Sequence, residues 1–165
     1  MEKKKHVFEF EVNTDFFSDF QNPEIIEGSA AISLDVEKLS HYMTVVLTFS
    51  GTLTVSCDRC LENLELAVEG ENLLSVRFEA APEEPEDESP VEDIMYANAE
   101  DDEIDLTVYV YESICLALPI QRVHGNDKNG KSLCNPEMLK YIVNSQATGK
   151  ESPFKVLKNM INRNK

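Results

Sequence analysis

At 165 residues and 18.7 kDa the chain has room for one domain with its own core, or one domain and an ordered tail, which excludes a multidomain machine. No run approaches the roughly 20 apolar residues needed to cross a bilayer, and the opening MEKKKHVFEFEV lacks the apolar stretch of an export signal, so a cytoplasmic protein without membrane contact is expected. The net charge of −16, from 31 acids against 15 Lys and Arg, argues against the uniformly basic surface of most nucleic-acid binders, but it conceals an asymmetry: residues 1–61 carry −5, residues 62–121 carry −17 and residues 122–165 carry +6.

The first half alternates at a period of two and reads as β structure. Phe8, Phe10 and Val12 share one side of a strand at 7–12, and Ile32, Leu34 and Val36 repeat the pattern before a turn near 38–41. Between Thr44 and Cys57 the alternation is most regular. Val45, Leu47, Phe49, Leu53, Val55 and Cys57 fall on one face and Thr44, Thr48, Ser50, Thr52, Thr54 and Ser56 on the other, which predicts a long half-wet strand, bulged or bent at Gly51. After Cys60 the pattern resumes through Leu64, Leu66, Val68, Leu74, Val76 and Phe78, so the chain doubles back as an antiparallel partner.

Composition changes at Ala80. The stretch APEEPEDESPVED at 81–93 holds three prolines and many carboxylates with little to bury, and a mobile acidic loop is expected over about 80–103. In LTVYVYESICLALP at 106–119, Leu106, Val110, Ile114 and Leu118 recur every four residues, which predicts a helix with an acidic start that Pro119 ends. The remainder, at about 135–165, reads as a basic helical tail. Asn135-Pro136 caps one helix carrying Met138, Leu139 and Ile142, and Ser152-Pro153 opens a last one on which Phe154, Leu157, Met160 and Ile161 share a face. The fold class is α+β, with an antiparallel sheet from the first half and helices from the second, in one domain spanning 1–165.

Cys57-Asp58-Arg59-Cys60, placed between two strands, is the most informative motif. Two intervening residues let both thiolates point at one ion, so it is half of a tetrahedral zinc site, and His124 and Cys134 in a polar loop are the candidate completing ligands. A redox role would want a helix starting at the first cysteine, whereas the sequence here continues as a strand. Four reduced, unliganded cysteines are the alternative. Cys115, among Ile114, Leu116 and Leu118, reads as a small core residue, and His6 and His41 lack partners at ligand spacing.

Gly125 to Ser132 matches the phosphate-loop pattern G-x-x-x-x-G-K-S literally. That pattern cradles phosphate only between a buried strand and a helix, and neither flank complies, so no nucleotide or other small-molecule substrate is expected. No nucleophile has a visible base, so no catalysis is expected either.

CDRCL at 57–61, IDL at 104–106, Glu112, LALP at 116–119, His124, a Gly-x-x-Leu-Cys stretch at 130–134 and SPFKVLKNM at 152–160 resemble, in order and spacing, the YceD family of large ribosomal RNA subunit accumulation proteins. The resemblance implies a non-enzymatic factor for synthesis, processing or stability of 23S ribosomal RNA, tied to ribosomal protein production. Some relatives carry further cysteines after LALP. Here Cys134 matches one, and Asp127 and Glu137 stand where others would be. The implied partners are large-subunit ribosomal RNA, a basic ribosomal protein, or both. Arg59, Arg122, Lys155, Lys158 and Arg163 are the candidate phosphate contacts, and the alternative is an acidic interaction module that escorts a basic ribosomal protein without touching RNA.

Overall fold

An alternating strand is stable only where its apolar face is covered, and here four such strands lie side by side and share one covered face. The computed structural model describes residues 4–39, 41–79, 93–98, 100–101 and 103–147. Strands β1 (Lys4–Val12), β2 (Ile25–Lys38), β3 (Tyr42–Ser56), β4 (Asn63–Arg77) and β5 (Asp93–Tyr96) form one sheet in the order β1-β2-β3-β4-β5. Neighbours from β1 to β4 are antiparallel, as expected. β5 runs parallel to β4, so the sheet is mixed.

β5 corrects the reading of 80–103 as one mobile loop. Ile94, Met95 and Tyr96 form an apolar island inside the acidic stretch, and pairing with Asp93 to Tyr96 engages the outer backbone of the last four residues of β4, Leu74 to Arg77, while Met95 packs against the core. Residues 80–92, the most acidic part of that stretch, lie outside the described residues, as does the helix expected from Ser152.

The faces of β3 divide as its pattern dictates. Val45, Leu47, Phe49, Leu53, Val55 and Cys57 are buried, while Thr48, Ser50, Thr52 and Ser56 are exposed. No bulge or bend falls at Gly51, since the register runs unbroken from Ala30 through Gly51 to Val68. The glycine is there because the strands approach too closely for a side chain: a Cβ would fall against the Ser29 carbonyl oxygen and 2.6 Å from the Ala30 Cβ. The sheet's irregularity lies instead between Ile25 and Glu27.

Helices close the apolar face. α1 (Thr14–Asp19) follows Asn13, whose side chain accepts the Asp15 and Phe16 N–H groups, and it lowers Phe17 onto Gly28 and Leu53. α2 (Thr107–Leu116) presents Val110 and Ile114 to the core, and the Asp105 carboxylate accepts the Thr107 N–H at 2.8 Å, ahead of its first turn. This bond, with the Thr107 side chain, holds the Asp105 carboxyl below the usual carboxylate range. α3 (Pro136–Ala147) begins as its sequence predicts, with Asn135 Oδ1 accepting the Glu137 N–H at 2.9 Å. Among the described residues no helix is long and apolar enough to cross a membrane.

Ile114 is fully buried and joins α2 to the sheet. Ile114→Ala should destabilise the protein by about 2–4 kcal/mol, read as a lower denaturation midpoint at unchanged slope.

Candidate metal centre

The parity that buries Leu53 and Val55 on β3 carries one residue beyond the strand: Cys57 is the next inward position and is fully buried. The chain then turns on itself. The Cys57 N–H donates to the Glu62 carbonyl at 2.9 Å, and the Leu61 N–H donates back to the Cys57 carbonyl at 2.9 Å. This turn places Cys60 beside Cys57, both buried, both reduced, between antiparallel strands. Leu61 closes it with φ of 62°, in the left-handed region that disfavours a side chain, and is 69% exposed.

The loop after α2 is clipped to this turn. The Asp58 N–H donates to the Arg122 carbonyl and the Arg122 N–H donates to Asp58 Oδ2, each at 2.7 Å. The clip brings His124 over the start of β4, where its Nε2 meets the Asn63 carbonyl at 3.1 Å. A carbonyl can only accept, so Nε2 carries a proton, which in the neutral ring leaves Nδ1 with a lone pair, 3.4 Å from Cys60 Sγ. Cys134 arrives from the far side of the loop, its N–H donating to Ser132 Oγ at 3.2 Å, and its sulfur lies 3.8 Å from Cys57 Sγ.

The four donor atoms of Cys57, Cys60, His124 and Cys134 all lie within 4.8 Å of one another. Sulfurs about 2.3 Å from a tetrahedral zinc are about 3.8 Å apart, and a sulfur and an imidazole nitrogen about 3.5 Å apart. The 3.8 Å and 3.4 Å separations seen here fit that tetrahedron. The set can hold a metal ion, and three sulfurs with one imidazole suit a soft or borderline one.

Two of the three thiols, Cys57 and Cys134, are drawn toward the thiolate. Burial pushes Cys57 up, but N–H groups of Cys60, Arg59 and His124 converge on its sulfur and bring it down to about 6. The Ser132 hydroxyl draws Cys134 down, while burial raises Cys60. His124 is raised, chiefly by the Cys57 sulfur.

The sequence-predicted ligands are therefore brought together as one set. Residues that hold them escape sequence reading: Asn63 acts through its carbonyl, which every residue type carries, and Ser132 and Glu24 are common surface types. Of the candidate phosphate contacts, Arg59 is exposed, with Nη1 3.5 Å from Ser132 Oγ. The Arg122 guanidinium is engaged by Glu24 at 3.0 Å and Asp58 at 3.6 Å, with its side chain 19% exposed. Lys155, Lys158 and Arg163 lie outside the described residues. Three further lysines, Lys128, Lys131 and Lys140, are exposed on the loop and helix that carry the site. Cys115 is half-buried against the core, and burial raises its thiol. His6 lies on β1 with its ring stacked toward Phe8, and His41 is exposed in the β2–β3 turn.

The phosphate-loop match resolves into a tight hairpin. Asn126 and Ser132 form a β-bridge, and Asp127 Oδ1 accepts the Asn129 and Lys131 N–H groups at 2.8 Å each. A carboxylate occupies amides that would otherwise face a phosphate, and no strand or helix flanks them.

The family model described as "Large ribosomal RNA subunit accumulation protein YceD" matches residues 45–161. The chain belongs to the YceD family. Neither a curated protein nor a solved structure matches it significantly. The matched span includes β3 from Val45, the whole metal-ligand set and the basic tail as far as Ile161, and the family description ties the protein to accumulation of large-subunit ribosomal RNA, a role in ribosome biogenesis.

Two outcomes test the geometry. In metal-free protein, thiolate absorbance should rise as pH passes about 6, and Cys57→Ser should remove that step while Cys115→Ser leaves it. Because the folded pKa of Cys57 is depressed, its stabilising contribution is complete above the ordinary thiol value of 9.0 and lost as pH falls through about 6. Leu61→Gly, by relieving the left-handed conformation, should raise stability by about 1 kcal/mol in thermal or denaturant melts.

Proposed function

We propose that this YceD protein is a non-enzymatic cytoplasmic factor for synthesis, processing or stability of 23S ribosomal RNA. It holds one zinc ion through Cys57, Cys60, His124 and Cys134, and contacts large-subunit RNA from that end of the molecule. The observation that carries the reading is the closed ligand set: four protein donors around one point leave no position for a substrate or a reactive water, which is the pattern of a structural rather than a catalytic zinc. When bound, zinc would supply cationic charge to buried thiolates and tie the turn after β3 to the loop after α2.

Charge distribution supports RNA contact there. Arg59, Lys128, Lys131 and Lys140 are exposed around the ligand set, and the tail that follows α3 adds Lys150, Lys155, Lys158, Arg163 and Lys165. The solvent face of the sheet is acidic, with Glu9, Glu11, Glu27, Glu65, Glu69 and Glu71 exposed, and would turn RNA toward the basic end. That face also favours a second reading, in which a basic ribosomal protein docks and RNA is not touched.

Purified protein should contain one zinc per chain, and a chelator should lower its melting temperature. Protein without zinc, after preparation free of chelators, removes the site. It should also retain large-subunit RNA at near-physiological salt, and replacing Lys155, Lys158 and Arg163 together by Gln should weaken retention with a shallower salt dependence and little change in melting. Retention of a basic ribosomal protein through nuclease treatment, with RNA binding unchanged in the triple variant, replaces the RNA reading with the second one.

A further inference from the structure

β1 is an edge strand that pairs only with β2 among the described residues, so its outer side is unpaired along its whole length. Its backbone hydrogen-bonding groups on the outer side are a template for another strand. The side chains do not discourage one. His6, Phe8 and Phe10 share the face that carries Val36, Leu34 and Ile32 on β2, yet Phe8 is 53% and Phe10 42% exposed while Leu34 and Ile32 beside them are buried. Among the described residues the core's apolar face thus runs out to the edge without a cover, and the His6 ring stacks toward Phe8 at a centroid distance of 6.4 Å.

We infer that a second copy of this chain pairs with β1, antiparallel and edge to edge, about a two-fold axis through Phe8. Strand arithmetic selects this occupant and this register. An axis at Phe8 sets Phe8 against Phe8, His6 against Phe10 twice, and Lys5 against Glu11 twice, so aromatic groups meet on one face and opposite charges on the other. An axis at Glu9 instead sets Glu9 against Glu9. An axis at Val7 also sets Lys5 against a carboxylate, Glu9, but it brings Phe10 opposite Lys4 and forfeits the Phe8 pair. Only the axis at Phe8 matches opposite charges on one face while keeping every aromatic group opposite another on the other. Lys5 already meets Asp35 at 2.6 Å, but its side chain remains 63% exposed, and an ammonium has donors to spare for a second carboxylate.

Pairing of this kind preserves the faces of the sheet. A two-fold perpendicular to the sheet keeps each copy's core face on the same side, so a continuous ten-stranded sheet forms in which the Phe8 and Phe10 rings of both copies cover one another. The metal-ligand sets lie beyond the ends of β3, away from the axis, and both basic ends stay open. The pairing uses neither the ligand set nor the tail, so it stands apart from the RNA reading.

Sedimentation equilibrium of the full chain should show a mass rising with concentration from 18.7 kDa toward twice that value. Glu11→Lys, which leaves the Lys5 pair with Asp35 intact, should weaken association by about tenfold through two like-charge contacts. Adding Lys5→Glu to Glu11→Lys exchanges the charges and should restore association, with circular dichroism confirming that each variant is folded. A chain that stays monomeric at the highest soluble concentration, a dimer indifferent to Glu11→Lys, or a double variant no better than the single one overturns the inference. The first of these outcomes reassigns the edge to a strand from another protein.

Discussion

The loop after α2 and the start of α3 are held to the sheet mainly through one turn. Residues 57–63 receive the loop after α2 and the start of α3 at several points: Asp58 and Arg122 exchange backbone and carboxylate bonds, Asn63 takes His124, Arg59 reaches Ser132, and Glu62 accepts from Asn135 at 2.7 Å. The apolar contribution at this junction is small, limited to Cys57, Cys60 and Cys134 with Leu64, Val123, Met138 and Leu139 packed around them. Three buried thiols and a few half-buried side chains form a satellite cluster rather than an extension of the main core. Its cohesion therefore rests on those hydrogen bonds, and its sulfurs, drawn toward the thiolate at Cys57 and Cys134, would be further stabilised by any cation that joined them.

The sheet imposes a division of labour on charge. A period-two strand must send alternate residues to opposite sides, so once one side is committed to the core every acid on β1, β2 and β4 collects on the other. Lys128 and Lys131 cannot join that face, because the clip at Asp58 and Arg122 holds their loop at the end of the β3–β4 hairpin. Topology therefore sets these loop lysines apart from a strongly acidic face. Such a separation is the electrostatic condition that the proposed RNA contact would need in a net-acidic protein.

How far the sequence reveals this depends on whether each feature rests on pattern or on proximity. β3 and its faces are legible because thirteen residues keep one parity, and the same parity delivers Cys57 to the interior. The ligand set is legible because Cys and His are rare enough for four of them in a polar context to stand out. α1 is not, since six residues with two adjacent phenylalanines show no helical period, and only the Asn13 cap marks it. β5 is hidden by its acidic surroundings, because the average composition of 80–103 outweighs four residues that find an open strand edge. Gly51 shows a different limit: a glycine in a strand announces that something comes close, and only the fold shows whether that is a bend or, as here, a neighbouring backbone.

Arg122 and Leu61 show how the turn's needs compete with recognition. Arg122 is a cation in a region suited to anions, yet Glu24 and Asp58 engage it, so its role is to brace the loop that delivers His124. Leu61 is the reverse case. Its left-handed backbone would suit glycine, and with its side chain 69% exposed it gains little from burial. A residue that costs conformational energy and repays little within the fold is best understood through what it presents outward. It lies next to Cys60 and two residues from exposed Arg59, so the turn that carries two of the candidate ligands also carries an exposed apolar and an exposed cationic side chain.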